Sequence, residues 1–151
     1  ERMITVDYLL ANEDRHQNNF GVIRNAETLE YLGPAPLYDN GSSLWFDKPT
    51  ALIGGGRVVC KPFKNSHEEQ IKLVASFDWL DLSRLDGIEE AWMELTRGAL
   101  FLDESRRNAV ARALRGRIDR LGKLSRTWFP RTSDAVAGDV MVDTKYSGQS
   151  R

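Results

Sequence analysis

The chain has 151 residues, of which 41% are hydrophobic, and this is enough for one globular domain with a core. Its 21 basic and 22 acidic side chains nearly cancel, so bulk charge favours neither nucleic acid nor a membrane surface as a partner. The only cysteine, Cys60, excludes a disulfide within the chain, and no apolar run is as long as a membrane span. We therefore expect a cytoplasmic protein that does not contact a membrane.

The first predicted element is a helix over residues 2–11, because apolar side chains recur there at helical spacing. A polar stretch, residues 12–19, follows this helix directly. It contains a carboxylate, Asp14, and an amide, Asn19, five residues further along. A polar stretch of this kind is usually a solvated turn when it stands alone. Its interpretation therefore depends on the residues that come next.

Two short strands are predicted next, over residues 20–24 and 29–32, with a turn between them. A hairpin of this kind returns the chain toward Asn19. Two prolines then keep the chain extended as far as Asp39, which stands close to a glycine. We therefore expect the side chains of Asp14, Asn19 and Asp39 to converge on one site.

These three side chains are of the types that magnesium-dependent phosphoryl transfer requires. One carboxylate orients the attacking hydroxyl, while an amide and a second carboxylate hold the metal that bridges the nucleotide phosphates. Amide and carboxylate oxygens are hard ligands that suit magnesium, which keeps several waters and takes one or two protein carboxylates. The pattern therefore favours phosphoryl transfer.

The order of these motifs resembles that of two kinase families. The core pattern is similar to the catalytic and metal-binding loops of phosphatidylinositol-kinase-like enzymes: Asp14-Arg15-His16-x-x-Asn19 and then Asp39-x-Gly41. The fuller pattern resembles the HipA-like serine/threonine kinases more closely: Asn12-x-Asp14-x-His16-x-x-Asn19-Phe20 and then Pro36-Leu37-Tyr38-Asp39. The resemblance is specific over about residues 6–46 and is weaker through Cys60-Lys61-Pro62-Phe63 and Glu68-Glu69-Gln70.

The HipA-like resemblance implies a role for each matching position. Asp14 is the catalytic base, and His16 braces the loop. Asn19 and Asp39 are the metal ligands and, through the metal, the cofactor-binding residues. The implied cofactors are Mg²⁺ and ATP. The implied fold is mainly α (α+β), a kinase-like C-terminal lobe built as a helical bundle with a small β-hairpin beside the metal site.

Residues 42–65 have no strong pattern, although their position corresponds to the activation segment of kinases. The glycines at positions 54–56 lead into a strand-like run and not into a helix, so we do not interpret them as a phosphate-binding loop. A capping box of Ser66 and Glu69 then predicts the start of a helix.

Three helices are predicted in the second half, over residues 66–77, from about residue 86 to about residue 99, and over residues 104–126, the last capped by Asp103. Side chains expected in the core are Leu44, Trp45, Phe46, Ile71, Val74, Ala75, Ile88, Trp92, Leu95, Ala99, Val110, Leu114, Ile118, Leu121 and Leu124. The helix over residues 104–126 also has a strongly basic face. We interpret that face as solvated, with direct nucleic-acid binding as the less favoured alternative.

We predict one kinase-like domain over residues 1–130 and a polar, partly disordered tail over residues 131–151. The implied reaction is transfer of the ATP γ-phosphate to a serine or threonine hydroxyl of a protein substrate. A kinase also needs a lobe that covers the nucleotide phosphates and supplies a lysine, normally ahead of the catalytic loop. Too few residues precede Asp14 for such a lobe. We therefore expect this chain to be the C-terminal lobe of a larger kinase and to be inactive alone.

Two other functions remain open. A lipid kinase is the nearest alternative, because the Asp14-Arg15-His16-x-x-Asn19 core is shared between the two families. A non-catalytic kinase-like module that docks a protein or a nucleic acid is the alternative from a different class. HipA-like proteins often belong to toxin–antitoxin pairs, so the resemblance also allows an antitoxin partner.

Overall fold

The computed structural model describes residues 1–127. They are mainly helical, with one two-stranded antiparallel sheet, as predicted. In chain order the elements are α1 (Arg2–Leu10), β1 (Val22–Arg24), β2 (Tyr31–Pro34), α2 (His67–Gln70), α3 (Ile88–Leu95) and α4 (Glu104–Thr127). Short 3-10 turns occupy Gln17–Asn19, Thr50–Leu52, Ile71–Leu73 and Leu82–Leu85. The predicted tail at residues 131–151 lies outside the described residues.

The longest element, α4, is the one against which α1 and α3 both pack. Its predicted apolar face is confirmed by four buried side chains, those of Val110, Leu114, Ile118 and Leu121. Its predicted start is also confirmed, because the Asp103 carboxylate accepts a hydrogen bond from the Arg106 amide at 2.7 Å. Local sequence signals therefore define this helix at its first turn and along its buried face.

The core has two parts that meet at the end of α1. The larger part contains Ile4, Tyr8, Ile71, Val74, Phe77 and Leu121. The smaller part contains Ala11, Trp45, Val58 and Ala113. Because Ala11 is the C-terminal cap of α1 and is fully buried, the two parts together fix the point at which the polar loop begins.

The predicted helix over residues 66–77 is wrong in length. Its cap is confirmed, since the Ser66 hydroxyl accepts a hydrogen bond from the Glu69 amide at 3.3 Å, but α2 has only four residues before a 3-10 turn. The backbone of Val74 is then extended (ψ 119°). The side chains of Val74 and Phe77 are both buried. Helix propensity is weak in a short segment, so it is outweighed here by the burial of these apolar side chains in the core.

Four predicted core side chains are wrong. Phe46 is 61% exposed and Leu95 is 81% exposed, and Ala75 and Ala99 are exposed as well. On α3 the inward face follows i to i+4 spacing through Ile88, Trp92 and the buried Thr96, which leaves Leu95 on the flank of the helix.

The basic face of α4 is only partly solvated. Arg117 is buried, and its guanidinium lies 4.3 Å from the ring centroid of Tyr8. Arg106 donates to the main-chain carbonyl of Lys48 at 2.7 Å, and Arg115 pairs with a carboxylate of α3 at 2.8 Å. These arginines hold neighbouring segments against α4, which reduces the basic surface open to a nucleic acid.

The two strands form a hairpin in which Val22 pairs with Pro34 and Arg24 with Tyr31, with a register irregularity between them. Every residue of β1 is exposed, and so are three of the four in β2. The hairpin therefore projects from the domain and does not contribute to its core. Within residues 1–127, none of the helices combines the length and the apolar character needed to cross a membrane.

Candidate functional site

The polar loop begins where the helix α1 stops. Ala11 adopts a left-handed backbone conformation (φ 53°), which turns the chain out of the helix. The buried side chain of Asn12 then makes two hydrogen bonds. Its Nδ2 donates to Asp7 Oδ1 at 3.1 Å, and its Oδ1 accepts from the Asp14 amide at 3.1 Å. Asn12 thus fixes the direction in which Asp14 leaves α1.

The centre of the site is the buried guanidinium of Arg15. It forms an ion pair with the buried carboxylate of Asp7 at 2.8 Å. It also donates to the main-chain carbonyls of Asn19 and Tyr38 and to the side-chain oxygen of Asn40. We call these groups the Arg15 network. It joins helix α1, the loop at residues 12–19 and the segment at residues 38–40.

This network brings the neighbourhoods of the two predicted metal ligands together. A single nitrogen of Arg15, Nη1, binds both the Asn19 carbonyl and the Tyr38 carbonyl. Asp39 lies between Tyr38 and Asn40, which are both bound by Arg15. The Tyr38 hydroxyl adds a further link at 2.7 Å to the loop that holds Asn19. Residues separated by twenty positions are therefore held side by side.

The Asn19 side chain is oriented within its own loop. It is buried, and its Nδ2 donates to the Asp14 carbonyl at 3.2 Å. That bond leaves Asn19 Oδ1 as the side-chain atom that can coordinate a metal ion. Asp39 is exposed and has a left-handed backbone conformation (φ 53°), which aspartate tolerates better than most residues do.

The chain that follows Asp39 runs beside the end of α1 and the start of the polar stretch at residues 12–19. The Glu13 amide donates to the Ser42 carbonyl at 3.0 Å, and the Leu44 amide donates to the Leu10 carbonyl at 2.8 Å. Lys48 adds an ion pair with Glu13 at 3.2 Å. These contacts hold the two loops together independently of Arg15.

The predicted base, Asp14, is accessible and paired. Its Oδ1 lies 2.6 Å from the ammonium of Lys61, and both side chains are about half exposed. The hydrogen bond from Lys61 holds the pKa of the Asp14 carboxyl below its usual value. Asp14 is therefore ionised at neutral pH, the state in which a carboxylate can accept a proton from a hydroxyl.

The predicted bracing residue, His16, makes its contact within the loop. Its Nδ1 accepts a hydrogen bond from the Asn18 amide at 3.2 Å and so caps the 3-10 turn Gln17–Asn19. The catalytic assignment of His16 stays a prediction.

Three residues of the site could not be assigned from the sequence alone. Arg15 and Lys61 stand inside the quoted motifs without an assigned role, and His67 is the third. His67 Nε2 donates to the Asn12 carbonyl at 3.0 Å. Burial, together with the nearby charge of Arg117, lowers the pKa of this histidine to about 4. Only an unexplained acid, Asp7, on the apolar helix α1 signals such a network in the sequence.

The donor set fits magnesium in one particular way. Within residues 1–127 no three histidine, cysteine, aspartate or glutamate side chains are grouped as a metal cage would require. Asn19 with Asp39 supplies one amide and one carboxylate. That set suits a Mg²⁺ ion whose remaining ligands are waters and the phosphates of a bound nucleotide.

No family model, no curated protein and no solved structure matches the chain.

Proposed function

We propose that this chain carries the hydroxyl-orienting and magnesium-binding loops of a phosphotransferase. The reaction is transfer of the ATP γ-phosphate to a serine or threonine hydroxyl of a protein, as the resemblance to HipA-like kinases implies. The observation that supports the proposal most strongly is the Arg15 network. One buried guanidinium binds the Asn19 carbonyl and the Tyr38 carbonyl next to Asp39, and so holds together the main chain at the two proposed metal ligands.

The proposed step assigns one task to each side chain. The acceptor oxygen attacks the γ-phosphorus, the bond from that phosphorus to the β–γ bridging oxygen breaks, and ADP leaves with the electron pair. The proton of the hydroxyl passes to the carboxylate of Asp14. Asn19 and Asp39 would hold Mg²⁺, which would neutralise charge on the phosphate oxygens.

Transfer of this kind also requires a cover over the nucleotide. The only sheet within residues 1–127 is the two-stranded hairpin β1–β2, which is exposed and too small to enclose ATP. We therefore propose that further polypeptide supplies this cover and a phosphate-binding lysine. Preorganised electrostatic stabilisation depends on excluding water from the site, so the described residues do not suffice for turnover.

The experiment that tests the metal site is paramagnetic relaxation in the presence of ATP. Mn²⁺ substitutes for Mg²⁺ and broadens NMR signals of nearby nuclei. We expect selective broadening of the amide signals of Asp14, Asn19 and Asn40. In Asp39→Asn, the Mn²⁺ concentration that causes the same broadening should be at least ten times higher. This change keeps a residue that tolerates the left-handed backbone and removes the charged ligand.

Asp78→Asn is the matched control, because Asp78 is an exposed aspartate outside the site. It should leave the broadening unchanged. Equal broadening in the wild-type chain and in Asp39→Asn would contradict the proposed metal site.

A docking module is a second candidate, and the exposed hairpin favours it. Tyr31 is 72% exposed and Leu32 is 63% exposed, with Val22 at 60% on the paired strand. Apolar side chains exposed together are typical of surfaces that contact other proteins. The Mn²⁺ experiment discriminates between the candidates, since a non-catalytic module needs no metal near Asp39.

A further inference from the structure

The Asp14 carboxylate receives a hydrogen bond from a distant part of the chain. Lys61 is 47 positions further along, and its Nζ lies 2.6 Å from Asp14 Oδ1. The contact therefore depends on the path of residues 60–64 and not on the catalytic-type loop itself. Residues 60–64 are mostly exposed, so the position of the Lys61 main chain near Asp14 must be fixed by contacts with another part of the structure.

That cause is the buried side chain of Gln70 on α2. Its Nε2 donates to the Lys61 carbonyl at 3.0 Å, while its Oε1 accepts from the amides of Phe63 at 3.1 Å and Lys64 at 3.3 Å. The Cys60 thiol also donates to the Lys64 carbonyl. The main chain that carries Lys61 is thus fixed on both sides, which places the lysine side chain within reach of Asp14.

Stability does not account for this arrangement. The Lys61 and Asp14 side chains are 59% and 44% exposed, and exposed ion pairs contribute little to the free energy of folding. A catalytic carboxylate gains something different from such a pair. With one oxygen bound, rotation of the carboxylate is restricted, and alignment of a base with its hydroxyl strongly affects the rate.

We propose that Lys61 is a positioning residue for the reaction. Its ammonium holds Asp14 Oδ1, so that Oδ2 is the oxygen that accepts the proton of the attacking hydroxyl. This inference rests on the proposed function, in which Asp14 is the base. It assigns a role to the segment at residues 60–64, which supplies the positioning group from outside the loop.

The activity test compares three variants in the protein translated from the complete natural reading frame. Lys61→Gln should lower kcat about 10-fold to 100-fold, with the KM for ATP and for the acceptor nearly unchanged. Lys61→Arg keeps a cation and should recover most of the loss. Lys64→Gln removes a lysine from the same segment and should have less than a twofold effect.

A double-mutant cycle shows whether Lys61 acts through Asp14. In an Asp14→Asn background, Lys61→Gln should cause no further loss of kcat, because the group that it positions is already disabled. Equal losses in both backgrounds would overturn the inference, and so would a Lys61→Gln variant with wild-type kcat.

A second readout keeps the inference separate from the proposed function. In the present chain, the ¹⁵Nζ signal of Lys61 should shift in Asp14→Asn and stay in place in Asp78→Asn. An unchanged signal in both variants would overturn the pairing and the inference with it. Absence of phosphoryl transfer in the wild-type protein would instead overturn the proposed function, while the NMR result would still decide whether Lys61 holds Asp14.

Discussion

At the scale of single residues, the site depends on the geometry of one guanidinium. Arg15 presents several N–H donors in a planar fork, and it uses them on Asp7, Asn19, Tyr38 and Asn40. A lysine ammonium could neutralise Asp7 but could not reach four acceptors in fixed directions. The charge of Arg15 is also compensated, because Asp7 is equally buried. Arg15 is therefore a buried charge with a paired counter-charge, and it also holds the loop at residues 12–19 next to the segment at residues 38–40.

Arg15→Leu should lower the free energy of unfolding by about 3–5 kcal/mol, because it leaves the Asp7 carboxylate buried without its partner. Urea denaturation measures this loss. Arg57→Leu is the control, since it breaks an exposed pair with Glu69 and should cost about 1 kcal/mol or less. Similar losses in the two variants would show that the Arg15 network does not stabilise the fold.

At the scale of elements, the short helix α2 stabilises two loops at once. Its first residue, His67, holds the Asn12 carbonyl, and its last, Gln70, holds the segment around Lys61. Both side chains are buried. A helix of four residues cannot be stable by its own propensity. Its position is fixed instead by its Ser66 cap and by these buried polar contacts.

The buried imidazole of His67 makes the free energy of unfolding depend on pH. Its folded-state pKa of about 4 lies below the ordinary value of 6.5, so the unfolded chain binds more protons between these values. The free energy of unfolding should therefore fall as pH drops from 6.5 toward 4, by up to about 3 kcal/mol. His67→Gln should remove most of this dependence in urea titrations at several pH values. Other titrating groups are common to both proteins, so an identical pH dependence would contradict the assignment.

Elements with local signals could be predicted from the sequence, and those that depend on distant contacts could not. The caps at Ser66 and Asp103 and the buried face of α4 follow from nearby residues. The end of α2 was mispredicted because burial of Val74 and Phe77 is decided by α1 and α4.

The same distinction applies to the site. Motif spacing and the predicted hairpin lead to the expectation that Asp14, Asn19 and Asp39 converge, but they do not identify the group that links the two segments. That group is Arg15, whose partners lie up to 25 positions away. The contact of Lys61 with Asp14 spans 47 positions, which no local pattern records.

At the scale of the whole molecule, the site is built on the N-terminal half of the described residues and supported by helix α4. Arg117 of α4 donates to the Tyr8 carbonyl near the end of α1, across 109 positions. Trp45 also contacts this guanidinium, at 5.9 Å from its ring centroid. Helix α4 therefore supports the point where α1 ends and the polar loop begins. The polypeptide should fold without any additional lobe, since these contacts are internal.

The present chain should be folded but unable to transfer phosphate. Under the proposed function the described residues contact the nucleotide only through the metal, so we expect the Kd for ATP with Mg²⁺ to be about 1 mM or weaker. Calorimetry and a phosphorylation assay on the purified chain measure both properties, with a thermal melt as evidence of folding. Micromolar binding together with transfer would show that residues 1–151 form a complete kinase.

The hairpin β1–β2 has a consequence for how this site can vary between proteins. A hydrogen bond of 2.9 Å from the Ala35 amide to the Gly21 carbonyl closes its base, so the residues between them form a side branch. Insertions or deletions in that branch would leave the Arg15 contacts in place, because the entropy of loop closure changes slowly with length. We therefore expect the length of the chain between Gly21 and Ala35 to tolerate change, whereas a change in the interval from Asp14 to Asn19 would disrupt the hydrogen bond between these two residues.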